Sequence, residues 1–334
     1  MKRVLLLIAS ILLMLSCVRE ETFDNTPEGN FEALWQIIDE HYCFLDYKKE
    51  AIGLDWNEVH TRYKQRISAD MTNMQLLEVL TDMLAELRDG HVNLYTSADV
   101  SRYWHWYEDY PRNWTQELRD KYLGTDYKIA AGIHYRILED NIGYIVYESF
   151  SNGVGEGNLD DVLYILRSCS GLIIDMRGNT GGTITYATML SQRLTNERVL
   201  VGYTCYKTGR GHSDFSQPQA EYLEPSTGVR WQKPVIVLQN RECYSATNLF
   251  IRNVRACARV RTLGDQSGGG GGMPFSSELP NGWAVRFSAS PSFDAQMQQI
   301  EFGIAPDIPC SLDSTDMLKG RDTLIETARK LLRP

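Results

Sequence analysis

Basic residues are in deficit. The 334-residue chain carries 34 Lys and Arg against 43 Asp and Glu, a formal net charge of −9, and its pI is about 5.3. Proteins that track phosphate backbones present basic surfaces, so nucleic acid is not an expected partner. Metal-ligand patterns are also missing. Beyond Cys17, six cysteines (43, 169, 205, 243, 257 and 310) show no C-x-x-C or finger spacing. In a chain this long they read as buried free thiols, and no metal or cofactor is expected. A G-x-G-x-x-G run and a G-K-[ST] run are both absent, which leaves nucleotide binding weakly supported. Nor is there an apolar run of membrane-spanning length. With 43% hydrophobic and 23% charged residues, wholesale disorder is a poor description.

What is present begins with a targeting pattern. Lys2 and Arg3 precede an apolar stretch, Val4 to Leu15, that ends in Met14-Leu15-Ser16-Cys17. A charged start followed by a short apolar run fits a signal peptide over 1–16. The terminal Cys resembles that of a bacterial lipoprotein signal, in which Cys17 becomes the lipidated first residue. An exported, membrane-anchored protein, periplasmic or at the cell surface, is the expectation. Residues 17–29, with Pro27 and Gly29, read as the tether.

Apolar residues then recur at helical spacing around Phe31–Ile38, Trp56–Tyr63 and Leu76–Leu87, with Asn73 as a cap for the third segment. This predicts a small helical domain over 30–97 that ends in Arg88-Asp89-Gly90-His91. Residues 98–126 are rich in aromatics (Tyr103, Trp104, Trp106, Tyr107, Tyr110, Trp114). They read as a connector packed on the next domain, with the wall of a peptide cleft as the rival reading. From 127 to 334 strand patterns (142–150, 171–176, 199–206, 234–239, 285–288) alternate with helical ones (160–168, 184–194, 245–257, 318–332), so the fold class is α/β.

Two places join a buried strand to a turn and a helix, which brings backbone amides to the mouth of a sheet. Asp175-Met176-Arg177-Gly178-Asn179-Thr180-Gly181-Gly182 offers glycines whose amides suit an oxyanion hole; plain turn glycines are the alternative. In Asn240-Arg241-Glu242-Cys243-Tyr244-Ser245-Ala246, Ser245 opens a helix, where a hydroxyl is either a nucleophile or an ordinary N-cap. A serine nucleophile needs a base. Of six histidines, His91 alone directly follows a glycine turn that closes a helix.

These segments, together with Glu301-Phe302-Gly303-Ile304-Ala305-Pro306-Asp307-Ile308, resemble the ordered landmarks of the C-terminal-processing and tricorn-core serine peptidases. The resemblance implies a crotonase/ClpP-like core of β-β-α turns. It implies a serine endopeptidase acting on peptide or protein substrates, with no cofactor. No lysine lies between Lys233 and Lys319, so a Ser–Lys dyad with the lysine shortly after the serine is not available. The tricorn-like style then implies Ser245 as nucleophile, His91 as base, Glu301 as the group fixing the imidazole, and Gly181 or Gly182 with Ala246 as the oxyanion hole. The stretch from His91 to Ile142 is too short for the PDZ module that many relatives carry. Five consecutive glycines, Gly268 to Gly272, predict a mobile loop beside the cleft. Two other readings stay open: a non-catalytic peptide- or lipid-binding protein on the same fold, and a crotonase-like acyl-CoA enzyme.

Overall fold

A computed structural model describes residues 23–333 apart from 98, 104–106 and 109. The expected signal segment, Cys17, Trp104 and Trp106 lie outside the described residues.

Four helices open the described chain: α1 (Pro27–His41), α2 (Leu45–Ile52), α3 (Trp56–Lys64) and α4 (Asn73–Ala85). Each boundary has a local cause. Thr26 accepts the Gly29 amide ahead of α1, and Asp55 accepts two amides ahead of α3. Ahead of α4 the cap is Thr72, one residue before the expected Asn73, because Gln75 completes a capping box with it. The sequence pattern missed α2, whose only buried residues are Leu45 and Lys48. The four helices bury Phe31, Leu34, Ile38, Val59, Leu80 and Met83 together with Val285 and Phe287 of β12 (Ala284–Asp294). Strand β1 (Asn93–Tyr95) pairs with β12 as well, so the helical module shares both a core and a sheet with the C-terminal half. That sheet runs β2 (Val100–Arg102), β1, β12, β7 (Val199–Thr204), β8 (Gln219–Leu223), and β11 (Gly272–Glu278) also pairs with β12.

The second sheet has seven strands in the order β13 (Ile308–Pro309), β10 (Val260–Gly264), β9 (Val235–Gln239), β6 (Leu172–Asp175), β5 (Gly143–Tyr147), β4 (Ile133–Ile137), β3 (Lys128–Ala130). From β5 to β13 it is parallel. Its central strands are apolar up to their last residues, Asp175 and Gln239, because both faces are covered. Leu172, Ile174, Val235 and Val237 face α6 (Glu156–Leu166), α7 (Ile184–Gln192) and α8 (Ala246–Arg255). Ile173, Ile236 and Leu238 face α10 (Thr323–Leu332). The expected closing helix 318–332 is two pieces, with α9 (Ser314–Leu318) separated from α10 by a turn at Gly320 with φ +65°. The connector, which also holds α5 (Gln116–Leu123), packs on the core. The Trp114 indole lies over Gly178 and donates to Glu242 at 2.7 Å.

Strands β6 and β9 are parallel neighbours. The Asp175–Gly182 turn and the Gln239–Ser245 turn therefore leave the same edge of the sheet, where this topology places ligands. All six described cysteines are free, and five are buried.

Candidate active site

Ser245 sits at the start of α8 with φ 57° and ψ −120°, backbone that a side-chain-bearing residue rarely adopts. It is held there from both sides. Its amide donates to the Gly269 carbonyl at 2.9 Å, and its carbonyl accepts the Leu249 amide at 3.0 Å. His91 follows α4 through Arg88, whose φ is 47°. Asp89 Oδ1 accepts the His91 amide at 2.7 Å, fixing the turn. Across 154 residues of sequence, the imidazole Nε2 meets the Ser245 hydroxyl at 2.8 Å. The geometry thus brings together the two residues that the motifs singled out.

Burial pushes the His91 pKa down; the charges of Arg286 and Lys48 add to this, and Asp89 opposes it. The ring is therefore neutral at neutral pH and able to accept a proton. Asp89 is fully buried and fully used. Its Oδ2 accepts the hydroxyls of Tyr42 at 2.9 Å and Ser288 at 2.9 Å, and its Oδ1 accepts that of Tyr244 at 3.2 Å. Burial alone would raise the Asp89 pKa, but Lys48, the imidazole, the His91 amide and Ser288 hold it below the usual carboxylate range.

The expected contact between Glu301 and the imidazole is not made. Glu301 Oε1 accepts from Lys48 Nζ at 3.0 Å, and Oε2 accepts the Gly271 amide at 3.0 Å. His91 Nδ1 is buried with no hydrogen-bond partner among the described residues. The reason is the lysine, which takes the carboxylate for itself. Lys48 is entirely buried; it also donates to the Leu87 carbonyl at 2.6 Å and lies 4.9 Å from the centre of the Phe302 ring. It thereby clamps the backbone just ahead of His91. Burial and the Asp89 charge push the Glu301 pKa above the usual range, against the pull of Lys48. Sequence reasoning passed over Lys48. The available signal was its place on an otherwise apolar stripe, Leu45-Lys48-Ile52, at helical spacing i, i+3, i+7.

The glycines of the Asp175–Gly182 turn are required by packing. A Cβ on Gly181 would lie 2.9 Å from Ser245 Cβ, and one on Gly182 would strike the Phe150 backbone. The Gly181 amide already donates to Asn179 Oδ1 at 3.0 Å, which leaves the amides of Gly182 and Ala246 as the oxyanion donors to consider. The mobile loop expected at Gly268–Gly272 is instead a buried seam. Gly268 donates to Cys243, Gly270 to the Glu301 carbonyl and Gly271 to the Glu301 carboxylate. A Cβ at Gly270 would enter the Tyr244 ring at 2.6 Å. Close approach of backbones, not flexibility, accounts for the run.

Residues 141–310 match the model of peptidase family S41. The chain belongs to peptidase family S41. Residues 23–85, spanning α1 to α4, match the tricorn protease C1 domain. Among solved structures, a Parabacteroides merdae protein provisionally designated a peptidase is 52% identical, with a TM-score of 0.88, covering 93% of this chain and 98% of that one. The carboxy-terminal processing protease CtpA of Bacillus subtilis is 24% identical over 215 residues, which is 60% of this chain but 44% of that protein. The S41 chain thus spans less than half the length of that curated relative. Mature CPAF, solved with lactacystin, shares the fold at 12% identity and a TM-score of 0.69, covering 92% of this chain and 97% of that one. The expected α/β fold is the one shared with these structures.

Proposed function

We propose that this S41 member is a serine endopeptidase with Ser245 as nucleophile and His91 as general base. The observation that carries the reading is the 2.8 Å approach of His91 Nε2 to a Ser245 hydroxyl held on strained backbone at a helix start. The neutral imidazole takes the hydroxyl proton as Oγ attacks the peptide carbonyl. The amides of Ala246 and Gly182 stabilise the oxyanion, each by about 2.7–4 kcal/mol by analogy with a measured subtilisin donor. The imidazolium then protonates the leaving amine, and water repeats the sequence on the acyl-enzyme. Asp89 favours the imidazolium electrostatically. Glu301 stands behind the base, joined to it through Lys48 and the Asp89 charge rather than by direct contact.

A fluorophosphonate probe tests this. Labelling is expected at Ser245, with loss in Ser245→Ala and in His91→Ala and a fall in casein or peptide cleavage of at least about 10³-fold. Labelling at another residue, or cleavage that survives Ser245→Ala, would overturn the assignment. We also propose membrane anchoring through a lipidated Cys17, on the strength of the N-terminal pattern. Fatty-acid incorporation abolished by Cys17→Ala is the expected result, and unchanged incorporation would remove the proposal.

A further inference from the structure

Arg286 lies on β12 between Asn93 of β1 and Ser276 of β11. Successive residues of a strand point to opposite faces. Its neighbours Val285 and Phe287 enter the core of the helical module. Arg286 therefore shares the other face with Ser288, whose hydroxyl donates to Asp89 Oδ2 at 2.9 Å. That is the face of the base. Asn93, the register partner of Arg286, is two residues after His91. The arginine is close enough that, after burial, its charge does most to push the His91 pKa down.

Arg286 is half-buried and makes no hydrogen bond or ion pair among the described residues. In a chain with 43 Asp and Glu against 34 Lys and Arg, that is out of pattern. Arg177, Arg193, Arg252 and Arg329 each meet a carboxylate. Its place also works against the reaction. The charged groups that act on His91 are Asp89 on its own turn, Lys48 on α2 and Arg286 on β12. The Tyr244 ring is 5.1 Å away, and its hydroxyl is given to Asp89. Asp89 favours the imidazolium that must form, and both cations disfavour it. Lys48 is bonded to Glu301. Arg286 has no such partner, and a substrate that brings a carboxylate supplies one.

Proton transfer decides which part of the substrate that is. The nitrogen that takes the imidazole proton belongs to the first residue of the leaving half. Its Cα is only about 1.5 Å from that nitrogen, so its side chain is the one that starts nearest to His91 and Arg286.

We propose that Arg286 receives the side-chain carboxylate of an Asp or Glu that immediately follows the scissile bond, and so sets an acidic preference on the leaving side. The inference rests on the peptidase reading and adds its substrate class. A guanidinium fork holds a carboxylate through two parallel hydrogen bonds. Once paired, its charge no longer opposes a proton on His91, so one contact favours both recognition and proton transfer. A basic residue at the same place meets a like charge.

The test uses the full chain with otherwise uncharged, C-terminally amidated peptides that differ only at the first leaving-side residue. The side chain is then the sole source of a carboxylate. Glu is expected to exceed the isosteric Gln by about 10-fold or more in kcat/KM, as a charge-assisted hydrogen bond implies. Arg286→Met is expected to abolish that preference, Arg286→Lys to keep part of it, and Arg286→Glu to turn it towards Lys. With the Gln peptide, Arg286→Met should also move the acid limb of kcat/KM to higher pH, because a charge that holds the His91 pKa down is gone. A merely structural role moves neither the preference nor the limb. Binding of the Glu and Gln peptides to Ser245→Ala, read by fluorescence anisotropy, needs no turnover. Tighter binding of the Glu peptide there, with no cleavage by the wild type, would keep the subsite and retire the peptidase reading. Equal affinity for the two peptides, or a preference for Glu that survives Arg286→Met at its wild-type value, would overturn the proposal.

Discussion

Two buried clusters in this molecule share a plan and differ in their cation. Each sets two carboxylates against one cation in the interior. In the first, Arg177 forks onto Asp175 with Nε to Oδ1 at 2.9 Å and Nη2 to Oδ2 at 2.7 Å, and its Nη1 reaches Asp322 at 3.0 Å. Asp322 also caps α10 through the amides of Leu324 and Ile325. The guanidinium spans both partners with fixed geometry, and its pKa is raised further by them, after burial has pulled it down. In the second, Lys48 bonds Glu301 directly and reaches Asp89 only through the field. An ammonium on a flexible stem serves one carboxylate at a time. Asp89 is thus held low and Glu301 is pushed high. The first cluster is split in the same direction, with Asp175, despite burial, held below the usual range by Arg177 and Asp322 raised by burial, so the two differ in the geometry of the cation and in the nearness of the second to His91. The forked guanidinium joins elements, here β6, the connector and α10.

The largest expected effect tests the joining role. Arg177→Met leaves Asp175 and Asp322 buried with no cation, at a cost of about 3–5 kcal/mol. A urea midpoint should report it, and the pH dependence of kcat/KM in the remaining folded protein should be unchanged. Lys48→Met should cost less, because Glu301 can take a proton, and the cost should grow as pH rises and that proton is lost. It should also move the acid limb of kcat/KM to higher pH, since Lys48 helps hold the His91 pKa down. Equal losses for both variants at every pH, with identical profiles, would erase the distinction drawn here.

The first cluster was partly legible in the sequence and the second was not. Asp175 and Arg177 sit inside a strand–turn motif, and β6, β9, α7 and α8 announced themselves by apolar runs of the right period. Ser245 and His91 were found through motifs and fall within hydrogen-bond distance in the structure. Lys48 escaped because α2 is eight residues long with only two fully buried positions, so its short Leu45-Lys48-Ile52 stripe is a weak signal and a lysine within it reads as polar. Glu301 was found by its motif, but its contact was not. Pairing between residues 253 apart depends on how the helical module docks on β12, and no local pattern encodes that. The glycine seam was misread for a related reason. A run of glycines looks the same whether it is exposed and loose or pressed between Tyr244, Glu301 and Ser288, and only the packing tells them apart.

The smallest expected effect sharpens the comparison most, because it separates charge from shape. Glu301→Gln keeps the volume and the carbonyl that Lys48 or Gly271 can use, and it removes a titrating group. The folded carboxyl of Glu301 holds its proton to a higher pH than the 4.5 of an unperturbed glutamate. Between those two values the folded state binds more protons than the unfolded state does. This contribution to stability is therefore full below pH 4.5 and is lost as pH rises through the folded value. In Glu301→Gln that slope disappears. Near pH 5 the variant should lie within about 1 kcal/mol of the wild type, since one hydrogen bond is rearranged rather than a charge exposed. Towards pH 8 its relative stability should improve. Urea titrations at several pH values give the comparison directly. A wild type whose stability relative to Glu301→Gln stays flat between about pH 5 and 8 would mean that Glu301 is held ionised by Lys48. Lys48 would then hold both carboxylates of the second cluster ionised.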